Sequence, residues 1–404
     1  LFYGGYVVLP AANSSSPLGM GNSMRLFKHL AAGVSLLLAG QTLAFATTYP
    51  VTVTDVANRQ VEIPAEPKRI VLQDGRDLFT LALLDRADPF QRIVAWNNII
   101  KRSDPNTWKV FENQWPKTAN QATDMKFGDD GDLNLEAVVA ARPDLLVFQT
   151  RARASLENAG VAQKLAALKI PVLFVDSDLE PVVNSQKTVT LLGQVLNREE
   201  EAKAYIDFYK SRLAKVEAIT KEHNKKPLVF VEAKAGQGGA SACCFTHGDV
   251  YWGKLVQAAG GVNLGSQLLP GATGDVTLET VLGKQPDVYV MTGTQFPGNT
   301  SVSPPFGFGE SVKLDAIQRQ LKLLEQRPGF AQLKASQNGR VYGVYHQFYA
   351  SSWNILAVEN LSQAFYPDSA KQLDADASLK ALFALTGIKA VPAILYAPAP
   401  ATGK

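Results

Sequence analysis

The sequence predicts an α/β protein of two Rossmann-like lobes. Three observations carry this reading. Short runs rich in Val, Ile and Phe alternate with helical stretches; the alternation comes in two successive series; and a segment of the first series, 132–147, reappears without a gap at 275–290. The chain has 404 residues, 46% hydrophobic and 19% charged, too long for one ordinary core and too apolar for disorder.

The first segment in chain order is a leader, residues 1–46. From Met24 the chain reads Met-Arg-Leu-Phe-Lys-His, then an apolar run at 30–39, then Ala44-Phe45-Ala46. A basic start, an apolar middle and a small-x-small end make a secretory signal, with cleavage leaving Thr47 first. A buried N-terminal helix is the alternative, which the charge and cleavage pattern disfavours. The apolar run is too short to span a bilayer, and no later stretch approaches about 20 uninterrupted apolar residues. No Cys follows the run, which argues against a lipid anchor. Residues 1–23 lie upstream of the signal. A bacterial-type signal without an anchor implies the periplasm.

The first lobe is placed at 47–197. Its strands are read at 69–73, 92–96, 145–149 and 172–176, each too short and too β-branched for a helix. Such continuous apolar runs suit a parallel sheet covered on both faces. The longest helical pattern follows, at 198–222 within a connecting segment 198–224. Leu191, Leu192, Val195, Ala202, Tyr205, Ile206, Tyr209, Leu213 and Val216 recur at helical spacing, and Pro227 stops the pattern. On this evidence the helix either braces both lobes or belongs to one. The second lobe, 225–404, repeats the strand pattern at 228–232, 288–292 and 340–345. In the internal repeat, Asn134 and Thr277 stand as N-caps two residues before Glu136 and Glu279, and each short helix ends before Pro-Asp and a strand.

Composition and motifs exclude several functions. With 40 basic against 37 acidic residues, the chain lacks the charge of a nucleic-acid binder. Its two cysteines cannot build a disulfide framework or a zinc site. The segment Gly248–Leu255 nearly matches a P-loop, but Leu255 stands where Ser or Thr must hold Mg²⁺, and Tyr251 and Trp252 are too bulky for a phosphate cradle. There is no nucleophile elbow, His-Glu-x-x-His helix or dinucleotide fingerprint, so no enzyme activity is expected.

Val53-Thr-Asp55, Val61-Glu-Ile-Pro64 and Pro67-Lys-Arg-Ile-Val71, with the two Leu-Glu…Pro-Asp segments, the run 168–176 and Ala-Ala-Gly-Gly-Val-Asn at 258–263, resemble the periplasmic substrate-binding proteins of iron-siderophore, haem and cobalamin ABC importers. The resemblance covers residues 50–390. It implies two α/β lobes joined by one long backbone helix, a ligand cleft between them and a small closing motion. It also implies that Glu136 and Glu279 sit on exposed faces and pair with arginines of the permease dimer in the inner membrane. A purely local role, offsetting the helix dipole, is the alternative for both.

Ligands of open α/β sheets bind at the carboxyl ends of the strands. Following each strand outward selects Arg76, Trp96, Gln149, Arg151 and Arg153 from the first lobe and Tyr251, Trp252, Tyr345, His346 and Tyr349 from the second. Guanidinium groups and flat rings suit an anionic ferric chelate. Each Arg could instead be a solvated loop residue, Trp96 a core residue, and the group around His346 an aromatic packing cluster. Adjacent Cys243 and Cys244 read as a vicinal disulfide first, buried thiols second, and metal ligands with His247 third. The expected protein is therefore a monomeric periplasmic carrier that delivers a ferric siderophore to an ABC importer and needs no cofactor. Haem, cobalamin or bare metal is the nearer alternative ligand, and a secreted two-domain enzyme the remoter reading.

Overall fold

Two five-stranded sheets organise the chain. In a computed structural model, residues 46–125, 128–129, 133–298 and 300–400 are described. The signal up to Phe45, and Asp132 of the repeat, lie outside the described residues.

The first sheet runs Thr123–Asp124, Ile93–Trp96, Ile70–Leu72, Leu145–Gln149, Val172–Val175, with every pairing parallel. The second runs Val262–Asn263, Leu228–Glu232, Val288–Gly293, Val341–Tyr345, Tyr396–Pro398; its first four strands are parallel and the last is antiparallel. Leu145–Gln149 and Val288–Gly293 are buried along their whole length, as strands covered on both faces must be. The long apolar runs of the sequence thus become the central strands. The edge strands Thr123–Asp124 and Val262–Asn263 are two residues each, too short to leave a periodic signal.

The long helix is Glu199–Lys221, roughly 35 Å at 1.5 Å per residue. The apolar periodicity expected of this helix spans a break in the structure. Leu191, Leu192 and Val195 belong to a separate helix, Pro181–Val195, and the chain breaks at Asn197 with φ 57° before restarting. The two helices pack together, so one apolar periodicity runs through both sides of the break. Their approach is close enough that a Cβ on Gly193 would meet the Ala202 Cβ at 2.5 Å.

Along its length the helix contacts both series of elements. It packs on Pro181–Val195 and Leu78–Leu84 of the first, and on Ile355–Phe365 of the second. Tyr205 Oη donates to the Ser352 carbonyl at 2.5 Å and Tyr209 Oη to Asn354 Oδ1 at 2.6 Å. Asn354 Nδ2 in turn donates to the Pro181 carbonyl at 2.8 Å and Ser185 Oγ at 3.0 Å.

A second tie lies away from the long helix. Asp104 caps helix Pro105–Gln114 and is fully buried, where it accepts from Thr107 Oγ1 at 2.7 Å and from Tyr345 Oη. Phe79 packs edge-on against Phe111 and against Trp353, and Trp353 in turn meets Phe308 and Phe383. The hydrophobic core is therefore continuous from one sheet's layer to the other's.

Candidate functional site

Where Ile70–Leu72 ends, Asp74 caps a short 3₁₀ turn, Gly75–Asp77, by accepting from the Arg76 amide at 2.9 Å. Gly75 is required by close approach: its amide donates to the Asn97 carbonyl at 2.9 Å, and a Cβ there would meet that oxygen at 2.6 Å. The turn directs Arg76 toward the second lobe. Its Nε and Nη2 hold the Asp74 carboxylate, and Nη1 donates to Tyr349 Oη.

Arg151, from the turn after Leu145–Gln149, completes a buried charge cluster. It donates through Nη2 to Asp74, through Nε to Asp129 at 2.7 Å and through Nη1 to Asp178. Three carboxylates thus fix one guanidinium plane, while N–H groups of both arginines remain for other acceptors. Burial opposes ionisation of Asp74, but Arg76 and Arg151 win and hold its carboxyl well below the usual range. For Asp178 the balance reverses: burial pushes it up to about 7 against Arg151 and Arg76. Burial and the charge of Asp74 push Asp77 up to about 8.

The second lobe faces this cluster with rings and a lysine. The Tyr251 amide donates to the Asp178 carbonyl at 3.1 Å. Tyr251 and Tyr349 meet edge to face at 5.6 Å, His247 lies 5.0 Å from Tyr251, and His346 lies 4.9 Å from Tyr349. Phe296 extends the group beside His346. Lys234 follows the Leu228–Glu232 strand; burial, with Arg76 nearby, lowers its pKa. Burial and Lys234 hold His247 down to about 3, so it is a neutral ring at pH 7. Lys234 and Tyr251 both carry positive φ, 55° and 52°, a conformation that costs of order 1–3 kcal/mol and persists where surrounding structure enforces it.

Of the residues selected from the sequence, Arg76, Arg151, Tyr251, His346 and Tyr349 come together. The other five do not join them. Trp96 is 1% exposed and packs against Phe90 and Trp108 inside the first lobe, because the last residue of a central strand still points into a layer. Gln149 is buried and spends its amide on both Asp77 oxygens. Arg153 pairs with Glu157 at 2.6 Å and lies over Phe174. Trp252 starts helix Trp252–Ala258 with its ring fully buried, and Tyr345 is turned to Asp104. Lys234, Asp178 and Phe296 were missed; each lies just beyond a strand end, where the same rule finds them.

The sulfurs of Cys243 and Cys244 are bonded to each other. Among the described residues, the cysteines share a close metal-type grouping with Glu232 and not with His247. Glu232 is taken by Arg327 at 2.7 Å and Tyr289 at 2.8 Å, and His247 Nδ1 faces the Trp252 amide at 3.4 Å. The near P-loop is no phosphate cradle either, since Lys254 pairs with Glu180 and Asp249.

The repeat is reproduced in space. Asn134 and Thr277 cap helices Leu135–Ala140 and Leu278–Lys284, accepting from the amides of Ala137 at 3.0 Å and Thr280 at 3.2 Å. Glu136 and Glu279 are both exposed in the first turns. No helix among the described residues is long and apolar enough to cross a membrane.

The profile of the family described as periplasmic binding protein matches residues 101–347. An uncharacterized ABC transporter substrate-binding lipoprotein of Bacillus subtilis is 24% identical, over 80% of this chain and 88% of its own length. A cobalamin-binding protein of Halobacterium salinarum is 23% identical over 61% of this chain and 59% of its own. Among solved structures, a TroA-like periplasmic binding protein, FepB, from Veillonella parvula superposes with a TM-score of 0.77 at 26% identity, covering 87% of this chain and 100% of that one. With the family's two-lobe parallel-sheet fold in place and its profile matched over more than half the length, the chain is a member of the periplasmic binding protein family, the substrate-binding components of ABC transporters.

Proposed function

We propose that this protein captures a ferric siderophore in the periplasm and hands it to an ABC importer without chemical change. The observation that carries the reading is the contact of Arg76, held with Arg151 on the Asp74 carboxylate, with the ring of Tyr349, which Tyr251 and His346 flank. A ferric chelate presents anionic oxygens around the metal and a flat organic shell, which match guanidinium donors and aromatic faces. The carboxylates around the arginines support this: they fix the guanidinium planes in advance, and the high pKa values of Asp77 and Asp178 limit the negative charge that would repel the chelate.

On this reading the lobes are 47–197 and 225–404, with 198–224 connecting them, and the protein works as a monomer. Signal cleavage before Thr47 delivers it to the periplasm. Glu136 and Glu279, alike in sequence, capping and exposure, dock on the permease dimer.

The cobalamin-binding relative favours a second reading, cobalamin as ligand. That molecule's amide-rich periphery makes less use of two buried arginines. Calorimetric titration of the purified protein with ferric catecholate and hydroxamate siderophores, haem, cobalamin and Fe³⁺ separates the two. Binding of a ferric siderophore without its consumption is expected. Binding of cobalamin, haem or Fe³⁺ alone would overturn the ligand assignment, and turnover would overturn the carrier reading.

A further inference from the structure

We infer that signal cleavage creates a structural ion pair: the new α-ammonium of Thr47 is received by Glu199 and Asn197 at the start of the long helix. The inference rests on the export reading above and concerns what processing does to the fold.

Thr47 is already positioned for it. Its amide donates to Asn197 Oδ1 at 3.1 Å and its hydroxyl to Glu199 Oε1, contacts that cross 150 positions of sequence or more. Tyr49 secures the same segment by donating to the Val195 carbonyl at 2.8 Å. Ala46 is exposed and Thr47 half-buried, so the bond between them lies at the protein's surface. Hydrolysis of that bond by a signal endoprotease consumes one water, leaving a carboxylate on Ala46 and an amine on Thr47 that takes up a proton. One N–H donor becomes three, at a nitrogen already held by the Asn197 amide oxygen and in the same residue as the hydroxyl that meets Glu199.

The charges around this nitrogen decide whether an ammonium is welcome. A helix N-terminus carries about +0.5 charge, which opposes it. Glu199, Glu200 and Glu201 fill the first turn and outweigh that half charge. Tyr49 feels Glu66 and Glu199 on one side and Arg92 and Arg198 on the other. Both arginines are committed to Asp85, at 2.7 Å and 3.1 Å, and Arg92 also to Glu66 at 2.9 Å. Lys203, which lines the same groove, is paired with Asp207. Glu199 is thus the carboxylate left for the amine. The mature N-terminus is in this way stapled to the helix that contacts both lobes.

The test uses the full chain exported from a bacterial host. Intact mass should give Thr47 as the first residue. Reductive ¹³C-methylation of the amine, followed by NMR titration, should place its pKa about one unit above that of Glu199→Gln, as expected for an opposite charge within a few ångström. Glu200→Gln, a change at an exposed neighbour, should stay with the wild type. A chain processed elsewhere, or wild type and Glu199→Gln titrating together, overturns the staple while leaving export intact. An unprocessed protein retained in the cytoplasm overturns the export reading, and the staple with it.

Discussion

Arg76 and Tyr349 bridge the cleft: the guanidinium of Arg76 donates to the Tyr349 hydroxyl and lies 5.2 Å from the centre of its ring. The same guanidinium is held from behind by Asp74, so its plane is set before any ligand arrives. An acceptor entering here meets a charge-assisted donor, a type of bond worth about 1.5–3 kcal/mol. Arg76→Ala is therefore expected to weaken ferric-siderophore binding by roughly 10- to 150-fold. Arg76→Lys should recover little of it, because a point charge cannot reproduce the fork. Titration calorimetry measures both; unchanged affinity in Arg76→Ala removes Arg76 from the site.

Asp77 gives the cleft a measurable pH signature. Its carboxyl moves from 3.8 up to about 8, through burial and then the charge of Asp74. Between those values the folded protein keeps a proton that the unfolded chain has lost, so this group's contribution to stability falls as pH rises, and the loss is complete above about 8. Asp178, raised to about 7, acts with the same sign. His247, lowered to about 3, acts oppositely: below about 6.5 the unfolded chain takes up a proton the folded chain refuses. Both act in wild type and variant alike. Asp77→Asn should therefore gain in melting temperature relative to wild type as pH rises from 4 to 8. Parallel profiles would show that Asp77 does not titrate in that window.

The legible part of this fold was its central strands, because a strand buried on both faces writes a continuous apolar run, as in Leu145–Gln149 and Val288–Gly293. The repeat was legible for a similar reason, each cap and each Pro-Asp having a local cause. Cleft membership was only half legible. The strand-end rule found Arg76 and Arg151, but it does not say which way a side chain turns. Trp96 and Tyr345 stand at strand ends and turn into the core, whereas Lys234 stands at one and turns toward the cleft. The break at Asn197 was hidden because two packed helices share one apolar periodicity.

The Asp104–Tyr345 pair predicts a stability loss separable from ligand binding. Asp104 is fully buried, and its carboxylate depends on the Tyr345 hydroxyl, on Thr107 and on the Thr294 side chain. Tyr345→Phe keeps the ring against Phe308 and Phe348 but removes a donor from a buried acceptor. The expected cost is about 1–3 kcal/mol in chemical denaturation. Burial already raises the Asp104 pKa, and loss of the donor raises it further, so the gap to wild type should narrow as pH falls. A variant as stable as wild type at pH 7 would mean that Thr107, Thr294 or water suffices.

Glu136 and Glu279 predict the reverse dissociation, in which binding survives and transport does not. Both are exposed, and the cap bonds run from the amides of Ala137 and Thr280 to Asn134 and Thr277, so truncating either glutamate leaves those bonds in place. The Glu279 carboxyl is held below its ordinary range by its own backbone N–H and the Thr277 hydroxyl; it is therefore ionised throughout the physiological range and available to a cationic partner. The double variant Glu136→Ala, Glu279→Ala should bind ligand as the wild type does and melt within a degree or two of it. Uptake of iron-labelled siderophore by cells carrying the cognate importer should fall at least tenfold, with each single variant intermediate, since two docking points on one partner act by multivalency. Normal uptake by the double variant would return both glutamates to the local role of offsetting a helix dipole, and would require the docking face to be sought elsewhere on the lobes.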